Sequence, residues 1–227
     1  MRDFHENLQM LAISFMPLMI AMIFHEYAHG LMAKRWGDKT AEERGRLTLN
    51  PLPHVDVLGT FILPIGMMLF SPGMVFGWAK PVPIDPRRFK KYRAGLFWVS
   101  AAGPLMNFSL AVVSALLFAA LARILPVTFS LREPLVAMAE YSVGINLVLG
   151  LFNLLPIPPL DGSKIIESFL SLKATAAYER LSRYSLGIIL ILAYTGAMRV
   201  LLVPVEFVAT FLLSTAGQLF GVTVVGG

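Results

Sequence analysis

The sequence predicts an all-α polytopic membrane protein, with about five transmembrane helices and a short re-entrant or tilted apolar segment. Three observations carry that prediction. Of 227 residues, 56% are hydrophobic and 15% charged, with a mean hydropathy of +0.70, where soluble domains carry about 25% charged residues. The apolar residues gather into long runs. The basic residues fall in short segments between those runs, which is how membrane orientation is written into a chain.

The first run covers residues 8–36, with Pro17 near its middle and Gly37 as a C-terminal stop. Arg2 is outweighed by Asp3 and Glu6, and no small-residue cleavage site follows, so this is a retained helix and not a cleaved signal peptide. Residues 37–56 are polar. Within them Arg46-Leu47-Thr48-Leu49 reads as a possible short interfacial strand, closed by the turn signals Asn50-Pro51 and Pro53. Residues 57–70 are apolar but hold Gly59, Pro64 and Gly66, and they fall well short of the ~20 residues a crossing helix needs.

Residues 71–93 contain Phe76-Gly77-Trp78, Pro81-Val82-Pro83 and a basic cluster from Arg87 to Arg93, which reads as an anchor on anionic lipid. Helices are then expected at 94–125 and 135–155, the second broken by Pro156, Pro158 and Pro159 just before Asp161-Gly162. An amphipathic connector (164–183) leads to apolar runs at 184–198 and 200–220. One membrane domain over 1–227 is expected, with a catalytic core at about 8–162 and C-terminal helices at about 184–222.

The net charge of +5 comes from loop residues, so nucleic acid is set aside as a partner. There is no cysteine, so a metal must be held by His, Asp or Glu. Fifteen of the 19 basic residues lie in 34–56, 71–93 and 161–183, and the positive-inside rule places all three segments in the cytoplasm. A full crossing by 57–70 would put Asp161 on the wrong side from the first helix's polar cluster; a re-entrant segment removes the conflict. The expected topology has the N-terminus outside and the C-terminus inside.

That polar cluster is His25-Glu26-Tyr27-Ala28-His29. Histidines four residues apart share a helix face and can grip one Zn²⁺, while Glu26 is placed to take a proton from water. The bland alternative, two satisfied helix histidines beside a solvated glutamate, fails because lipid offers no solvated face. A catalytic zinc wants a third protein ligand. Asp161, Glu140, Glu206, His54 and Asp56 are the candidates, and Asp161 is favoured because its Pro-broken backbone suits a hydrated cavity. Glu140 and Glu206 lie near span ends, where carboxylates snorkel. His54 and Asp56 carry two readings: a gate or accessory ligand oriented by Asp56, or caps of the Asn50–Gly59 turn. The turn role is the favoured one.

Together with HExxH, two further segments carry a resemblance. Asn153-Leu154-Leu155-Pro156-Ile157-Pro158-Pro159-Leu160-Asp161-Gly162 is similar to the N-x-x-P-x-P-x-L-D-G pattern of the site-2 protease family of intramembrane zinc metalloproteases. Gly103-Pro104-Leu105-Met106-Asn107 is similar to that family's G-P-x-x-N segment. The chain departs from better-known members in that its loops are too short to hold a PDZ or CBS domain, so a compact form is expected. By the resemblance His25, His29 and Asp161 hold one Zn²⁺ per chain and Glu26 is the general base. Asn153 contacts substrate, and Asn107 is a weaker candidate for the same role, with an interhelical hydrogen bond as its plainer one.

The function it implies is zinc-dependent hydrolysis of peptide bonds in or near transmembrane segments of membrane protein substrates, at the cytoplasmic side of a bacterial or archaeal cell membrane. Residues 47–49 or 76–84 carry two readings of equal weight: a strand edge that holds an unwound substrate by strand addition, or an ordinary interfacial loop. The rival is a non-proteolytic zinc-binding membrane protein. A transporter would show paired broken helices in related halves, which this chain lacks, and an inactive scaffold would not need Glu26.

Overall fold

The computed structural model describes residues 2–62, 66, 79–196 and 198–222. Its helices are α1 (Arg2–Trp36), α2 (Thr40–Glu43), α3 (Tyr92–Ile124), α4 (Arg132–Asn153), α5 (Asp161–Glu167), α6 (Leu172–Glu179), α7 (Ser185–Tyr194) and α8 (Met198–Phe220). Gln9–Trp36 of α1, all of α3 and α4, and Leu202–Phe220 of α8 are long and apolar enough to cross a membrane. The remaining expected crossing corresponds to α7. It has 10 residues, about 15 Å at 1.5 Å per residue, and ends before Gly196, whose φ is +74°.

The bundle is built inside out. The inner face of α3 is small, with Ala101, Ala102, Gly103, Ala111, Ser114, Ala115 and Ala119 buried, while its Val113, Leu117 and Trp98 are exposed. Small residues let helices approach closely where lipid removes the hydrophobic drive between them. Gly150 on α4 shows the approach: a Cβ there would lie 2.7 Å from Phe108 Cε1 on α3. Ser114 Oγ meets Ser142 Oγ at 2.8 Å in the same seam, so α3 and α4 run antiparallel. Ala33 of α1 packs with Phe89, Leu96 and Val99, and Lys90 N–H donates to Trp36 O at 2.8 Å. The end of α1 and the start of α3 therefore sit together at one end of the bundle. Of the expected re-entrant segment only Val57–Ile62, a π-helical turn, and Gly66 are described; the rest lies outside the described residues.

The expected strands are corrected. Among the described residues neither 46–49 nor 79–84 forms one, and Phe76-Gly77-Trp78 lie outside them. Pro81 and Pro83 have no N–H, so one edge of residues 79–85 has no donors at those positions, and the N–H groups of Lys80 and Val82 on the other edge go to His54 O and Glu26 rather than to a neighbouring strand. The segment is instead an extended strap along α1. Ala79 packs near Leu18, Met19, Met22 and Ile23, and Ile84 near Ala33 and Trp36. Its polar groups are met one by one: Lys80 N–H by His54 O at 2.8 Å, Asp85 N–H by Asp38 Oδ2 at 2.7 Å, and Lys80 O and Pro81 O by Arg46 Nη2 at 2.7 and 3.2 Å. The pairs Lys34–Glu42 and Arg88–Glu43 tie the loops further, but both are about half exposed and contribute at most ~1 kcal/mol each.

Candidate metal centre

Helix α1 carries His25 and His29 one turn apart, both buried. Each ring is held by its Nδ1: His25 faces Asn107 Oδ1 at 2.6 Å and His29 faces Val99 O at 2.7 Å, both on α3. A carbonyl oxygen only accepts, so each Nδ1 carries the ring proton and each Nε2 presents a lone pair. A helix carbonyl keeps a second lone pair, which lets Val99 O accept from His29 within α3.

Asp161 comes from the other side of the bundle. The prolines at 156, 158 and 159 end α4 and let the chain turn into α5, whose first residue is Asp161. Gly162 makes the turn fit, since a Cβ there would run into the backbone of Leu154 and Leu155. His25 Nε2, His29 Nε2 and Asp161 Oδ2 form a triangle with edges of 3.0, 3.1 and 3.2 Å. Ligand atoms of a tetrahedral ion bound at about 2.0–2.1 Å stand about 3.3–3.4 Å apart, so the triangle matches one face of such a site.

The donor set fits a cation on chemical grounds too. Two bare lone pairs 3.0 Å apart repel unless positive charge lies between them. Asp161 Oδ2 is buried without a hydrogen-bond partner, a cost of ~1–3 kcal/mol or more if nothing met it. A metal ion bound by the two histidine Nε2 atoms would meet this carboxylate oxygen directly. Gly103 leaves the space: a Cβ there would fall on His29 Nε2 and His25 Nε2. His25, His29 and Asp161 form the one such cluster among the described residues.

Glu26 lies beside the triangle, and its Oε2 accepts a 2.6 Å hydrogen bond from Val82 N–H of the strap. Asn153 donates within its own helix, to Leu149 O at 3.0 Å. Asn107 cannot contact substrate as expected, because it is fully buried; its Oδ1 holds His25, and its Nδ2 donates to Asn146 Oδ1 at 2.9 Å and Ala21 O at 3.3 Å. His54 is fully buried with Nε2 on Thr48 O at 2.8 Å, and Asp56 does not orient its ring. Asp56 Oδ1 accepts from Gly59 N at 2.8 Å and its own N–H donates to Thr60 Oγ1 at 3.0 Å, which caps the turn beginning at Val57. Neither joins the cluster. Gly103, Val99, Val82 and Asn146 were not legible as site residues. For Asn146 there was a signal: an amide in an apolar run is costly unless paired.

A sequence profile of peptidase family M50 matches residues 126–195, which include Asp161. The Bacillus subtilis protein YwhC, whose name describes a zinc metalloprotease, is 36% identical over 81% of this chain and 83% of its own. The Mycolicibacterium smegmatis protein Rip2, named in the same way, is 27% identical over 88% of this chain and 76% of its own. The Methanocaldococcus jannaschii zinc metalloprotease MJ0392 is 24% identical over 88% of this chain and 48% of its own. No solved structure matches the chain.

Proposed function

The chain belongs to peptidase family M50, the site-2 protease family, and from that premise we propose that it is a zinc-dependent intramembrane endopeptidase, cutting membrane protein substrates in or near their transmembrane segments. The observation that carries this reading is the triangle of His25 Nε2, His29 Nε2 and Asp161 Oδ2, 3.0–3.2 Å on each edge, with Glu26 adjacent on the same helix.

When bound, zinc supplies a Lewis acid that brings the pKa of a water at the open position from ~16 toward ~7. The chain's own residues do the rest. His25 and His29 offer Nε2 because Asn107 and Val99 hold Nδ1. Asp161 adds negative charge from the opposite side. Glu26 accepts the proton from water and returns it to the leaving amine; Val82 N–H fixes one of its oxygens, and the base's work falls to the other. Asn153 offers an amide to substrate, once its bond to Leu149 O is exchanged. The cationic end of the bundle, where Trp36 and Lys90 meet, lies at the cytoplasmic face.

Purified protein should contain one zinc per chain and cleave a membrane-embedded helix after reconstitution. Glu26→Gln should keep the zinc and abolish cleavage. Cleavage that survives Glu26→Gln would sink the proposed role of Glu26, and zinc-loaded wild type that cuts no membrane substrate would favour a non-proteolytic role.

A further inference from the structure

A chain of buried hydrogen bonds runs from the metal centre into the seam between α3 and α4, and each link has a fixed direction. Ser142 O has only lone pairs, so the Asn146 atom facing it at 2.9 Å is the amide nitrogen. Asn146 therefore turns Oδ1 toward Asn107, 2.9 Å away, and the Asn107 atom it meets is the amide nitrogen. Ala21 O, 3.3 Å from that same nitrogen, asks for the same orientation more weakly. Asn107 Oδ1 then has one place to go, His25 Nδ1 at 2.6 Å. The ring proton must sit there, and Nε2 faces Asp161 as a lone pair.

We infer that Asn146, which contacts no member of the metal cluster, is a positioning residue that sets the metal-binding tautomer of His25 through Asn107. The inference rests on the metal reading proposed above. Were Asn107 to turn over, its amide nitrogen would donate to His25 Nδ1, the proton would move to Nε2, and that nitrogen could not ligate. Asn107 and Asn146 are both fully buried, so no water is at hand to meet a turned amide. Asn146 supplies the acceptor that makes turning costly. Ser142 O, 2.9 Å from Asn146 Nδ2 and able only to accept, keeps Asn146 itself from turning.

The test compares wild type, Asn146→Leu and Asn146→Asp in detergent. Three quantities are read: zinc affinity by chelator competition, melting temperature of the metal-free protein, and the histidine tautomer by NMR of isotope-labelled imidazole nitrogens. Asn146→Leu removes the acceptor and should weaken zinc binding 10–100-fold, the usual cost of losing an outer partner of a metal-bound histidine. It should also bring a proton to His25 Nε2 in part of the metal-free population. Asn146→Asp keeps an acceptor for Asn107 but sets a carboxylate against Ser142 O. It should melt at a lower temperature yet bind zinc within a few fold of wild type. A packing role alone predicts the opposite ranking, with affinity falling as melting temperature falls and Asn146→Asp the worse. That ranking, or wild-type affinity and an unchanged tautomer in Asn146→Leu, would overturn the inference. If Asn146→Leu does not fold, weakened zinc binding in folded Asn146→Asp overturns it equally. Wild type that binds no zinc would overturn the metal reading itself, and this inference with it.

Discussion

Val82 N–H donates to Glu26 Oε2 at 2.6 Å, joining residues 56 apart in the chain. The bond makes an extended strap part of the site: it fixes the carboxylate of the proposed base without using a side chain. Val82→Pro removes the N–H while keeping an extended backbone between Pro81 and Pro83. Turnover should fall about 10²-fold, the scale of a misplaced catalytic group, with zinc content unchanged. Val82→Ala keeps the N–H and should retain most activity. Equal activity in Val82→Pro and Val82→Ala would show that the bond does not orient Glu26.

The strap is held from outside by Arg46, whose Nη2 bonds Lys80 O and Pro81 O. Arg46→Ala removes both contacts and leaves the metal ligands untouched. Hydrogen exchange at the Lys80 and Val82 amides should quicken, while exchange in the middle of α3 stays as in wild type. Unchanged exchange at both amides would mean that His54 O, Glu26 and Asp38 suffice to hold the segment.

Gly103 is the residue whose side chain the site cannot accept, because a Cβ there would occupy the space of His29 Nε2 and His25 Nε2. Gly103→Ala should strip zinc from the protein as thoroughly as His25→Ala, although Ala is a better helix former by about 1 kcal/mol. Metal analysis of the two variants decides it. A zinc-loaded Gly103→Ala protein would show that α1 and α3 can separate at the site.

What the sequence disclosed, and what it hid, follows from the range of each interaction. The helices were legible because lipid imposes a length and an apolar composition on each. His25, Glu26 and His29 were legible because helical spacing alone brings them together. Asp161 could be singled out by the Pro-rich break before it. The sequence leaves residues 76–84 evenly divided between strand edge and loop, because the partners of the described part are Glu26, Asp38, Arg46 and His54 O, scattered over α1 and the loop after it. For Asn107 the sequence leaves substrate contact and an interhelical hydrogen bond both open, since nothing in G-P-x-x-N says which way its amide points; the bond to Asn146 is the second of these. Asn146 was passed over inside an apolar run. Such amides gain their meaning from the seam between two helices, and one helix's sequence does not show that seam.

Asp161→Asn keeps the shape of the side chain and removes its charge. Zinc at 100 times its Kd contributes about 2.7 kcal/mol to stability by mass action. Chelation should therefore lower the melting temperature of wild type distinctly, and that of Asp161→Asn much less. A wild-type drop on chelation in Asp161→Asn would remove Asp161 from the ligand set and reopen Glu140 and Glu206.

The last prediction concerns orientation. Lys90 N–H bonds Trp36 O, and Ala33 packs on Leu96 and Val99, so residues 37–91 leave and rejoin the bundle at one end. Asp161 reaches the histidines of α1 from the end of α4, and Arg93 Nη2 bonds Leu170 O at 3.1 Å, which brings the segment after Asp161 to that same end. The basic residues of 34–56, 80–93 and 164–183 therefore share one face, and a leaflet of anionic lipid attracts such a face at ~1 kcal/mol per residue near its surface. That face should be cytoplasmic. The chain has no cysteine, so single cysteines in place of Arg44, Lys91 and Lys173 give clean reporters for a membrane-impermeant thiol reagent. All three should stay unlabelled in intact cells and react once the membrane is opened. Labelling at all three from outside would invert the orientation and place the metal centre at the outer face. Labelling at position 91 alone would separate Lys91 from Arg44 and Lys173 across the membrane and overturn the shared face.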